Sequence, residues 1–282
     1  MRHIILFIAI VAMSSCTTAK LSVPEEFSSH STKMPVKGLN GWMLNQQLTF
    51  GNYQTSKIKR GWDFQSSLQY TKFSISPEEA ILKVFEIDTD NKRLKQKNKF
   101  QYTIEGENAI AEVYATEEFT EKQLVYKSNN PWIGSASKTK KYEYAFTAAI
   151  VPITAKKSAA WSLVLINTYD VNKDTNRKIF GRANVEEEGY ATNGTESIAI
   201  APMRVDKVAG KNGKETKVLG GNLLGGYQIS VDNKPIAMID ILDNSIRIAN
   251  EIEPAKKIVV SSIASAILLK RMQDVEKDKP DL

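Results

Sequence analysis

Residues 253–257 (EPAKK) lead into 258–269 (IVVSSIASAILL), and Lys270-Arg271-Met272 follow. Twelve residues pass without a charge, and every face of a helix drawn through them is apolar or small. A surface helix would keep one wet face, so this one is expected to be buried all round. Pro254 suits the first turn, where its missing N–H costs no helical bond. Glu251 and Glu253 stand at the positive end of the dipole, and Lys270 and Arg271 at the negative end. Ser261, Ser262, Ala264, Ser265 and Ala266 keep the helix thin enough for a narrow interior. At 1.5 Å per residue it reaches only ~18 Å, short of a ~30 Å hydrocarbon core. A core helix lying on one face of a sheet fits the same pattern.

Nearly everything upstream reads as strands. Gly51-Asn52 separates two alternating runs, 42–50 and 53–60, as a hairpin. Residues 66–75 are a further strand; 76–79 (SPEE) could cap a short helix through Leu82, while 81–87 also read as a strand. Residues 100–104 and 109–114 flank the turn 105–108. Residues 141–153 and 161–168 are the most apolar runs and are expected to be central. Residues 170–193 read as a polar excursion, 197–203 as a strand and 211–214 as a hairpin turn. Residues 227–231 and 236–242 form a hairpin about 232–234, and 245–248 precede the helix. Gly220-Gly221 and Gly225-Gly226 let backbones approach closely. The expected fold is mainly β: an antiparallel barrel of about ten to twelve short strands enclosing or packing on the C-terminal helix. A β-sandwich with a C-terminal core helix is the alternative.

The chain has 282 residues and a net charge of +6, mildly basic, which favours an anionic partner surface without choosing one. The densest cationic run, 92–99 (KRLKQKNK), has no nucleic-acid recognition motif beside it and reads as a solvated turn or strand edge. There is one cysteine, Cys16, and there are two histidines, His3 and His30. A Ser-His-Asp triad, a Cys-His dyad or a thiolate or histidine metal site is hard to build from that inventory. No cofactor, no metal and no nucleic-acid partner is expected.

Met1-Arg2-His3 and the apolar run 4–13 (IILFIAIVAM) have the make-up of a secretory signal. The run ends at Met13-Ser14-Ser15-Cys16, which resembles the bacterial lipobox, with Met13 in place of the usual leucine. The resemblance implies cleavage before Cys16 and acylation, palmitate among the chains, of its thiol and new amino group. Two or three chains anchor stably where one binds marginally. Residues 1–15 are then a signal peptide, 16–33 (polar and Ser/Thr-rich) a lipidated tether, 34–274 the β-rich domain and 275–282 a polar tail. Thr17, where Asp would imply inner-membrane retention, favours the outer membrane, facing the periplasm or the surface.

The layout of 34–274, and above all the hairpin 227–240 (YQISVDNKPIAMID) before the apolar helix, resembles the tubby C-terminal-like fold of tubby, LURP-one-related and phospholipid scramblase proteins. That resemblance implies a closed barrel of about twelve strands around a C-terminal helix. No residues here match tubby's phosphoinositide site.

Three constellations invite chemistry. Asp170, Asn172, Asp174 and Asn176 alternate like a calcium loop, but Thr175 replaces the turn glycine and Gly181 the closing glutamate, so a surface loop is expected. Glu186, Glu187, Glu188, Asp240 and Asp243 supply carboxylates for glycoside hydrolysis if two converge. Trp42, Trp62, Trp132 and Trp161 form either a sugar or lipid platform or core and rim aromatics. The functional expectation is a membrane-anchored, non-enzymatic binding or scaffold module with a lipid, glycan or envelope-protein ligand. The alternative is a carboxylate-dependent hydrolase.

Overall fold

The computed structural model describes residues 21, 23–40, 43–61, 96–126, 136–153, 159–170, 186–209, 215–218 and 223–270. In chain order the elements are α1 (Glu25–Ser29), β1 (Ser31–Pro35), β2 (Thr49–Phe50), β3 (Tyr53–Thr55), β4 (Lys59–Arg60), β5 (Gln96–Gly106), β6 (Ala109–Tyr126) and β7 (Ala136–Ile153). Then come β8 (Trp161–Asp170), β9 (Glu186–Thr192), β10 (Ser197–Val205), β11 (Lys207–Ala209), β12 (Glu215–Lys217), β13 (Leu223–Val231), β14 (Lys234–Asp240), β15 (Ser245–Ala249) and α2 (Pro254–Leu268).

Thirteen of these strands form one antiparallel sheet, in the order β1-β15-β14-β13-β10-β9-β8-β7-β6-β5-β3-β2, with β4 also on β5; β11 and β12 pair separately. The two ends of that order meet. Past β1, Lys37 N–H donates to Thr49 O at 2.9 Å and Thr49 N–H returns to Lys37 O at 3.1 Å. This single bridge brings the sheet round into a nearly closed barrel.

Alternation decides what faces inward. In β6, Ala111, Val113 and Ala115 point in; in β8, Trp161, Leu163 and Leu165; in β13 and β14, Tyr227, Ile229, Ala237 and Ile239. They meet α2, whose residues from Ile258 to Leu268 are all buried. The helix touches β5, β6 and β7 on one side and β14 and β15 on the other, and these lie on opposite arcs of the ring. It therefore fills the barrel rather than lying on an open sheet. Each of Ile258, Val259, Val260, Ile263, Ile267, Leu268 and Leu269 gains ~1.5–3 kcal/mol on full burial. The helix serines need partners in this dry setting. Ser262 Oγ donates to Ile258 O at 2.7 Å, and Ser265 Oγ lies 2.7 Å from the Tyr102 hydroxyl. Gly226 shows how closely the wall is packed: a Cβ there would stand 1.8 Å from Ile239 O.

Several expectations need adjusting. Residues 170–193 are not all excursion: their last part is β9, paired to both β8 and β10. The cluster Glu186-Glu187-Glu188, read as an acidic turn, begins that strand. A charged run hid the alternation that Gly189 and Ala191 continue inward. The strands are not uniformly short, since β6 and β7 run 18 residues each. Their outer faces are buried as well, at Tyr114, Ala149 and Val151. The stretch 16–33, read as tether, already contains α1 and the start of β1. The polar residues Ser31, Thr32 and Lys33 pair with Ala249, Ile248 and Arg247. The strand runs 66–75 and 81–87, and the helix cap at 76–79 between them, lie outside the described residues. No helix among the described residues is long and apolar enough to cross a membrane.

Candidate functional site

At the C-terminal end of α2 the barrel interior turns polar. Asn167 stands opposite Tyr144 in β7 and opposite Glu187 in β9, so all three lie on one inward rung. Tyr227 reaches the same place from β13 and donates its hydroxyl to Glu187 Oε1 at 2.7 Å. Lys270, one residue past the helix cap, is only 2% exposed. Its Nζ donates to the Tyr227 hydroxyl at 2.7 Å and lies 4.7 Å from the centre of that ring and 5.7 Å from the Tyr144 ring. Arg204 holds the other Glu187 oxygen at 3.1 Å. Tyr144 donates to Glu117, itself 2% exposed, at 3.3 Å. Two cations and two carboxylates thus sit interleaved with phenols, which is how buried charge is tolerated. Burial raises the Tyr144 pKa well above the usual tyrosine range, and the negative charge of Glu117 adds to the rise. Asn167 Oδ1 is buried without a hydrogen-bond partner.

Above this cluster a cleft of about 290 Å³ opens at the mouth of the barrel, with Asn40, Gln46, Arg60, Asn244, Leu269 and Lys270 in its wall. Arg60 Nη2 bridges Gln46 Oε1 at 3.0 Å and Leu269 O at 2.9 Å, so it caps an end carbonyl of α2. That is where a cation complements the helix dipole. Midway along the helix, Tyr53 and Ser261 lie beside each other with neither hydroxyl making a hydrogen bond of normal geometry. Burial pushes the Tyr53 phenol up to about 12; Ser261 pulls the other way, and the Glu107 carboxylate adds to the rise.

No family model, no curated protein and no solved structure matches this chain. The site is therefore read from its own residues. Glu187 points into the barrel, whereas Glu188 is exposed outside, as alternation demands. Asp240 faces outward at the end of β14, and Asp243 is in the turn 241–244 that follows it. Asp240 accepts from Leu242 N, Asp243 N and Leu21 N, and Asp243 pairs with Lys33. The carboxylate candidates whose side chains are described do not gather in one place: Glu187 faces the interior, whereas Asp240 and its neighbour Asp243 lie outside it. The carboxylate that shares Glu187's surroundings is Glu117, which sequence reading did not single out. Trp161 is a core residue. Trp42, Trp62, Trp132, Asn172, Asp174, Asn176 and Cys16 lie outside the described residues, and of Asp170 only its backbone at the end of β8 is described. His30 is exposed, with its carbonyl accepting from Asn250 N.

Proposed function

We propose that this protein is a lipid-anchored module of the bacterial cell envelope, held through Cys16, and that its barrel binds or scaffolds rather than catalyses. The observation that carries this reading is the filled interior. A helix buried on every side leaves no channel or deep cavity among the described residues, so a ligand would have to use the mouth or the outer wall. The layout of a ring of strands round a C-terminal helix accords with kinship to tubby-like domains. A lipid, a glycan or an envelope protein remains the partner class, and the outer membrane the favoured address.

The hydrolase alternative is less well supported. Glycoside hydrolysis needs two carboxyls that flank a bound sugar. Glu117 and Glu187 are buried and already engaged by Tyr144 and Tyr227, where a polymer cannot reach. The test has two arms. Cells fed labelled palmitate should label the parent chain and not Cys16→Ala. Purified protein incubated with envelope glycans should release no new reducing ends. Release that disappears in Glu187→Gln, with the fold intact by circular dichroism, would overturn the non-enzymatic reading.

A further inference from the structure

Leu44 is 70% exposed, the most exposed large apolar side chain among the described residues. Single exposed leucines are common, so its position has to carry the argument. It sits at the barrel mouth in a loop pinned by Asn40. Asn40 Nδ2 donates to Leu44 O at 3.1 Å, while Asn40 O accepts from Met43 N at 3.2 Å and Gln46 Nε2 at 3.2 Å. Met43 and Asn45, on either side, both have left-handed backbones, at φ 55° and 49°. The loop is thus held in a conformation that turns Leu44 outward.

The second observation is where the chain enters. Leu21 is buried against the wall at Gly225, and its N–H donates to Asp240 Oδ2 at 3.1 Å. Asp240 Oδ1 in turn holds the 241–244 turn through Leu242 N and Asp243 N. That turn borders the mouth cleft together with Asn40 and Met43. The N-terminal latch and the Leu44 loop are therefore at the same end of the barrel. From Leu21 back to Cys16 is five residues, which span at most ~18 Å fully extended.

We infer that the mouth end is the membrane-docking face, with Leu44 inserting at the headgroup–acyl boundary of the bilayer that holds Cys16. This rests on the lipid-anchor reading above. A short leash leaves the barrel little choice of which end meets the lipid. Lys37, exposed on the same rim, adds a cation facing the headgroups.

The test uses the full acylated chain in phosphatidylcholine–phosphatidylglycerol vesicles. An environment-sensitive fluorophore goes on Leu44→Cys, and on Lys234→Cys at the opposite end as the reference; Cys16, acylated on sulfur, does not compete. Flotation reads anchoring, and quenching by brominated lipid reads insertion. The expected result is a floating protein whose Leu44 probe is blue-shifted and quenched several-fold more than the Lys234 probe. A floating protein with equal quenching at both sites overturns the docking face and leaves the anchor standing. A blue shift without quenching means that a second copy covers Leu44, and also overturns it. A chain that stays at the bottom of the gradient removes the anchor, and this inference with it.

Discussion

Lys270→Met removes the buried cation at the barrel end and keeps most of the volume. Its Nζ makes a 2.7 Å bond to the Tyr227 hydroxyl, which lies 2.7 Å from Glu187. Breaking one member of a buried charge set costs ~3–5 kcal/mol, because the remaining charges lose compensation where water cannot replace it. For a domain of this size each kcal/mol lowers Tm by ~2–4 °C, so a drop of roughly 6–20 °C is expected. Glu187→Gln alone should also destabilise, since Arg204 and Tyr227 lose an ionised acceptor. The double variant should be less damaged than the sum, with a coupling of ~1–3 kcal/mol. The assay is urea unfolding of the four chains followed by tryptophan fluorescence and circular dichroism. A Lys270→Met midpoint equal to the parent's, or strictly additive losses in the double variant, would refute a coupled buried network.

Ile263 is wholly buried at mid-helix, so Ile263→Val should cost ~0.5–1.5 kcal/mol, whereas Ile263→Asp should give no cooperative melt at neutral pH; a normal melt for the latter would remove the helix from the interior. Gly226→Ala should weaken the β13–β14 pairing, since its Cβ would meet Ile239 O, and loss of protection of these strands in hydrogen exchange would show it. Tyr53, Tyr102 and Tyr144 all have pKa values raised by burial, with Tyr53 at about 12. A folded-state pKa above the unfolded one means that the native state holds protons longer. Stability is then unaffected below about pH 10 and falls above it by ~1.4 kcal/mol per pH unit for each tyrosine still protonated; Tyr102→Phe should shallow that slope in alkaline denaturation, and an unchanged slope would count against it.

The apolar stretch 258–269 announced its own burial because hydrophobicity on all faces has few other uses in a short helix. The hairpins about Gly51-Asn52, 107–108 and 232–233 were legible because turn chemistry is local. The polar rung was not. Glu117, Asn167 and Glu187 each occupy the inward parity of a strand otherwise filled by residues such as Val113, Leu165 and Ala191. The clue was a polar residue at an apolar beat in three separate strands. What joined them was the register of β6, β7, β8 and β9, which is a long-range property. Lys270 was placed at the helix end, yet the dipole accounted for it without any need for Tyr227, 43 residues earlier. The entry latch at Leu21 was hidden for a similar reason, because its partner, Asp240, is 219 residues away.

The strand β1 pairs with β15, the last strand of the chain, and its continuation at Lys37 closes the ring against Thr49. In a chain delivered from its N-terminus, the first strand therefore has no neighbour on one side until residues 245–249 arrive, and the helix that fills the interior comes later still. The barrel cannot reach its final form from a partial chain. Until the last strand and the helix are present, the ring has an open edge and an unfilled interior. Folding should then be slow, as pairings between distant segments generally are. Truncation after β14 should leave a chain that shows no cooperative unfolding and is readily proteolysed, rather than a smaller folded barrel.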